Sequence, residues 1–181
     1  MFRSFLPALS IFFLVACHND IQTINLITAG KNLPVETSTD IDLTYSDSAR
    51  IKMRLKSPRI ERYESDTLHD LFPQGIHIEF YDDSLHVSSQ LTSKWAIRYE
   101  RLGKMEAKRD VIVFNKKGEK LNTEYLIWDE QRKIIYTNAF VKITTADEII
   151  YGDGLESNQD FSKYKIMNIK GTIAVPDEQK K

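Results

Sequence analysis

The sequence predicts an all-β fold, built as a stack of short antiparallel strands. Three observations point to it. Apolar and polar residues alternate with period two in almost every segment after residue 40, the pattern of strands with one buried face. Short clusters of Asp, Asn, Ser and Gly interrupt those segments as turns. The second half of the chain repeats itself every thirty residues, so one supersecondary unit is stacked on the next. A long 3.6-residue periodicity is missing; only Glu64–Leu71 has the spacing of a short helical turn.

The chain opens with Arg3 and the apolar run Phe5–Ala16, which ends at Cys17, the single cysteine. Twelve residues are too few to cross about 30 Å of hydrocarbon as a helix. The run therefore reads as a removable signal, residues 1–16. Leu14-Val15-Ala16-Cys17 has the form of a lipoprotein signal, which makes Cys17 the expected lipid anchor and places the rest outside the cytoplasm, held to a membrane. The alternative is a plain secretory signal with an incidental cysteine. Residues 17–40 read as a polar tether whose scattered apolar residues suffice for part of it to pack on the domain.

The domain is expected over residues 41–175, followed by a polar tail at 176–181. Ile41–Tyr45, Ile51–Lys56, Ile76–Phe80 and Trp95–Tyr99 alternate. Their buried faces are expected to carry Ile51, Met53 and Leu55, then Ile76, Ile78 and Phe80, then Trp95, Ile97 and Tyr99. The turns fall at Asp82–Ser84, Asn115–Gly118, Asp129–Arg132 and Asn158–Asp160. Three repeat blocks, Lys104–Val113, Ile134–Ile143 and Tyr164–Ile173, align without gaps. Their odd positions are mostly apolar, with Arg109 and Lys165 the charged exceptions, and read as the interior. Such a stack makes a sandwich, barrel or jelly roll, and the repeat favours an elongated jelly roll. The last strand, with Tyr164, Ile166, Ile169 and Ile173, has only a short tail to cover it. An open edge there would accept a strand from another protein.

No nucleophile–base set and no phosphate loop occurs in the sequence, so neither an enzyme nor a cofactor is expected beyond lipid on Cys17. His77 and His86 read as residues of solvated strand faces rather than metal ligands, and Asp153, between two glycines, as part of a strand bulge. Trp128 suits either core or rim. With 25 basic and 26 acidic residues well mixed, no stripe of charge suggests nucleic acid.

Several motifs carry a resemblance: Ala107–Val111, Asn115–Gly118, Leu121–Leu126, Trp128-Asp129, Ile135–Thr137, Val141 and Ile149–Leu155. Together, from near Ile51 onward, they resemble the LptC family, the periplasmic component of the lipopolysaccharide export transporter. The resemblance implies a twisted β-jelly roll open along a seam, with acyl chains of lipopolysaccharide held inside. It implies docking to the inner-membrane ABC transporter at one end and to an LptA-like bridge protein at the other, on the periplasmic face of the inner membrane. One departure is the lipoprotein cysteine, where familiar members have a transmembrane helix. The expected lining comprises Met53, Leu55, Ile78, Phe80, Trp95, Ile97, Val111, Val113, Val141, Ile143 and Ile169. The competing reading is an envelope assembly lipoprotein whose β-stack is only a scaffold.

Overall fold

The computed structural model describes residues 33–64 and 67–174. The signal, Cys17, most of the tether and the tail at 176–181 lie outside the described residues. The strands are β1 (Glu36–Asp47), β2 (Arg50–Tyr63), β3 (His69–Phe72), β4 (Ile76–Tyr81), β5 (Val87–Ser93), β6 (Trp95–Tyr99), β7 (Lys104–Asn115), β8 (Lys120–Asp129), β9 (Ile134–Thr144), β10 (Glu148–Asn158), β11 (Tyr164–Ile166) and β12 (Ile169–Ala174). All pair antiparallel. The fold is an all-β jelly roll. Strand β1 starts at Glu36, ahead of the boundary expected at residue 41, and Val35 already donates its N–H to the Arg62 carbonyl. Where Glu64–Leu71 has the spacing for a short helical turn, β3 forms instead from His69, because pairing with β2 and β6 satisfies the backbone of His69–Leu71 on both edges.

The sheet forks. Met53–Lys56 of β2 pair with β4, whereas Glu61–Tyr63 pair with β3. Ile112–Asn115 of β7 pair with β5, whereas Lys104–Lys108 pair with β6. Strand β10 divides in the same way between β12 and β11. Two layers result. The first contains β4, β5 and β12, the second β3, β6 and β11, and the long strands β1, β2, β7, β8, β9 and β10 run through both.

Where the long strands pass between layers they bend. Asp40 in β1 (φ 53°), Arg109 and Asp110 in β7 (φ 64° and 54°), Gly154 in β10 (φ 94°) and Asn168 between β11 and β12 (φ 44°) are all left-handed. Register shifts accompany the bends in β7, β8, β9 and β10. Bulges of this kind increase the local bend of a strand. In β2 the bend falls at Pro58, which has no N–H for a ladder. Hydroxyls take up carbonyls along this spine. Ser57 donates to the carbonyls of Arg59 and Gly75, Ser93 to that of Trp95, and Thr123 to those of Tyr125 and Phe140.

The core lies between the layers. From the first layer it takes Leu55, Ile78, Phe80, Leu91, Val111, Val113, Leu121, Val141 and Ile143, and from the second Phe72, Ala96, Met105, Ala107, Leu126, Trp128, Ile135 and Leu155. Phe80 and Trp128 meet edge-on across the gap, with ring centroids 5.3 Å apart.

Candidate functional site

Cross-strand register defines the inner face of the first layer as rows. One row reads Leu43, Leu55, Ile78, Leu91, Val113, Leu121, Ile143, Ile150 and Thr172. A second crosses Val111, Thr123, Val141, Gly152 and Ile169. Apolar side chains therefore line up across the strands rather than along one of them, as the thirty-residue repeat predicts. Gly152 in the second row takes no larger residue, since a β-carbon there would stand 2.7 Å from the Met167 carbonyl.

Seven expected lining residues meet in this core: Leu55, Ile78, Phe80, Val111, Val113, Val141 and Ile143 are all buried. In the middle of the domain these side chains pack on one another. Met53 is half-buried against the same cluster. Three expectations need correction. Trp95 and Ile97 lie on the opposite face of β6, which turns Ala96 to the core. A five-residue strand with apolar residues at alternate positions fixes its two faces but not which of them is inside. Ile97 is still buried, outside the core cluster, and Trp95 packs under the Lys108 ammonium, 5.0 Å from its ring centroid. Ile169 sits on the inner face but is 62 % exposed, because no strand lies beyond β12 among the described residues.

The inner face thus continues past its packed middle onto both edge strands. At the β1 edge Leu43 and Tyr45, in register with Leu55 and Met53, are 51 % and 58 % exposed. At the other edge Ile169 lies uncovered beside Gly152. Both edges are unpaired among the described residues: β1 pairs only with β2, and β11 and β12 only with β10. Tyr164 and Ile166 of β11 remain half-buried against the core, whereas Ile173 of β12 is exposed.

Charge gathers at the second layer's rim. Arg62 donates to Asp70 at 2.9 Å, and Arg98 pairs with Glu130 through bonds of 2.7 and 2.9 Å. Glu130 raises the Arg98 guanidinium further above its ordinary range. On the opposite face, burial pushes the Tyr125 phenol up to about 12. On the spine an open cleft of about 580 Å³ is lined by Asp40, Asp42, Lys56, Gln74, His77 and neighbours. Ile41, Pro58 and Ile76 stand in the same walls as these polar groups. His77 keeps Nε2 buried without a hydrogen-bond partner, while His86 sits in the exposed β4–β5 turn. Among the described residues no cluster of His, Cys, Asp and Glu has metal-binding spacing.

Sequence comparison bears on this interior. The family described as "Lipopolysaccharide-assembly, LptC-related" matches residues 22–174. The chain belongs to the LptC family. Membership connects the domain with lipopolysaccharide transport, and LptC proteins are transport components of the periplasm associated with the inner membrane. No match was found among curated proteins. Sequence reasoning missed Leu43 and Tyr45 on the LptC domain's inner face, although Ile41, Leu43 and Tyr45 alternate plainly. It also missed Phe161, a fully buried core residue in what reads as a polar turn; its aromatic character amid Ser, Asn and Asp was the available signal.

Proposed function

We propose that this domain carries lipopolysaccharide by sheltering its acyl chains between the two layers. It receives the lipid from the inner-membrane ABC transporter and passes it to an LptA-like bridge protein. Lipid on Cys17 tethers it to the periplasmic face of the inner membrane. The observation that supports this most is the apolar inner face, which runs uncovered onto strands whose outer edges are unpaired among the described residues. A neighbouring jelly roll added to either edge would extend the same apolar surface and cover Leu43, Tyr45 or Ile169.

The packed middle is compatible with a transient lipid. Apolar contact is non-directional, so a side chain that exchanges another side chain for a methylene stays out of water. Each acyl methylene buried adds about 0.8 kcal/mol. No catalytic group or cofactor is needed to hold such a ligand, and the energy for movement comes from the transporter.

A photocrosslinker at Val111 or Ile143 tests the reading in living cells. Adducts with lipopolysaccharide are expected. Protein adducts alone would favour the scaffold alternative.

A further inference from the structure

One segment closes the jelly roll on the side opposite the spine. The turn between β10 and β11 leaves the rim of the second layer and reaches the first. It holds its own shape: Asn158 Nδ2 donates to Ser162 Oγ, and Lys163 N–H donates to Asn158 Oδ1. It is tied to its own layer through main chain, since Gln159 N–H donates to the Lys133 carbonyl at 3.0 Å. Trp128 Nε1–H also donates to Gln159 Oε1 at 3.3 Å.

Its ties to the facing layer are of another kind. Asn115 Nδ2 donates to the Phe161 carbonyl at 2.9 Å, and Ser89 Oγ donates to the Gln159 carbonyl at 3.4 Å. Both donors are side chains, and no ladder joins the turn to the first layer. Between these bonds the Phe161 ring enters the core, fully buried, and stacks on Tyr164 at 4.8 Å. Phe161 adopts φ 51°, a left-handed conformation that a bulky residue seldom takes. Such a conformation persists only where its surroundings enforce it, and it occurs preferentially at clamps and switches.

We propose that the Asn158–Lys163 turn is a strap that keeps the seam shut, with Phe161 holding the place of an acyl chain. An entering acyl chain replaces the ring in the core. The Asn115 and Ser89 bonds break, the left-handed residue relaxes, and the turn swings out on its own layer. This rests on the carrier reading above, since it names the element that governs access to that interior. It also accounts for a domain with exposed apolar ends and a closed middle.

Asn115→Asp tests the strap, made together with Glu119→Gln because Asn115 Nδ2 also donates to Glu119 Oε2 at 2.6 Å and an aspartate there would otherwise oppose a second carboxylate. The remaining oxygen still accepts the N–H groups of Lys117 and Glu119 that build the β7–β8 turn, but an acceptor now faces the Phe161 carbonyl. With the full chain held in nanodiscs, hydrogen exchange of the Gln159–Lys163 amides should accelerate at least tenfold while β4 and β8 stay protected. Uptake of the apolar dye N-phenyl-1-naphthylamine should rise several-fold. Ser89→Ala, a milder change, should shift both in the same direction. Unchanged exchange in the turn with both variants, or uniform acceleration across all strands, overturns the strap. Photocrosslinking at Val111 separates the two readings. Local opening with dye uptake but no lipopolysaccharide adduct in either protein supports the strap and removes lipopolysaccharide as cargo.

Discussion

The Trp128 ring stands edge-on to Phe80, with planes at 85°, and this contact joins the two layers of the jelly roll. Both residues are buried, and Phe80 also lies in register with Met53 and Ser89. Edge-to-face pairs add roughly 0.5–1.5 kcal/mol beyond area burial. Phe80→Ala should therefore cost about 3–5 kcal/mol, transfer and cavity together. Phe80→Leu should cost well under half of that. Urea denaturation followed by Trp fluorescence measures both. A Phe80→Ala penalty below about 1 kcal/mol would mean that the layers are not closely packed there.

Gly75 and Gly118 are both left-handed, at φ 89° and 79°, yet they should respond differently to alanine. A β-carbon at Gly118 meets nothing within 4 Å. Gly118→Ala should cost only the left-handed penalty, about 1–2 kcal/mol. At Gly75 the same atom would lie 2.2 Å from the Ser93 carbonyl oxygen, at the point where the sheet forks. Gly75→Ala must move backbone and should lower the thermal midpoint by clearly more. Equal midpoints for the two variants would contradict the close approach of the β3–β4 turn to Ser93.

The limits of the sequence reading follow from the spine. Blocks Lys104–Val113 and Ile134–Ile143 keep the same parity on both sides of their bends, so odd residues point inward before and after them: Met105, Ala107, Val111 and Val113, with Arg109 exposed at the bend itself, then Ile135, Val141 and Ile143. In β8 the buried set changes from Leu121 and Thr123 to Leu126 and Trp128. In β10 it changes from Gly152 to Leu155 and Ser157 across Gly154. A bulge adds one residue and reverses the alternation, and hydropathy does not record it. The third block fails for a different reason. The chain breaks at Asn168, Ile169 lies on the inner face with no strand beyond β12 among the described residues, and Ile173, next to Thr172 of the inner row, points outward because the register shift in the β10–β12 pair changes the parity. Period and repeat revealed the strands and most of the lining; edge and face depend on neighbours distant in sequence.

Acid should loosen the β1 edge. Arg54 of β2 grips Asp42 of β1 through bonds of 2.6 and 2.7 Å. These bonds hold the Asp42 carboxyl below its ordinary value of 3.8. The native state thus prefers the carboxylate. Its contribution is fully present above about 3.8 and is lost as pH falls through the lower folded value. Asp42→Asn should lower the thermal midpoint at pH 6, and the gap to wild type should narrow steadily below pH 4. The pair is solvent-exposed, so salt near 1 M should shrink the gap as well. A gap that widens with acid would place the linkage elsewhere.

If the C-terminal edge receives the bridge protein, adjacent prolines should tell pairing apart from folding. Successive residues of an antiparallel strand send N–H groups alternately to one side and the other. Of Thr172 and Ile173, paired with Ile150 and Ile149 of β10, one therefore donates inward to β10 and its neighbour outward. Thr172→Pro and Ile173→Pro should differ accordingly. One variant loses a bond to β10 and melts earlier. The other keeps its midpoint but presents an edge with a missing donor and a ring in the path of the incoming strand. That second variant should fail to co-elute with an LptA-like protein on size exclusion, although its own fold is intact. Charge placed on the uncovered inner face, as in Ile169→Asp, should weaken the same association without unfolding the domain, since Ile169 is already largely solvated. Full co-elution of all three variants would move the docking surface away from β12, to the β11 edge or to the β1 edge with Leu43 and Tyr45, both open among the described residues.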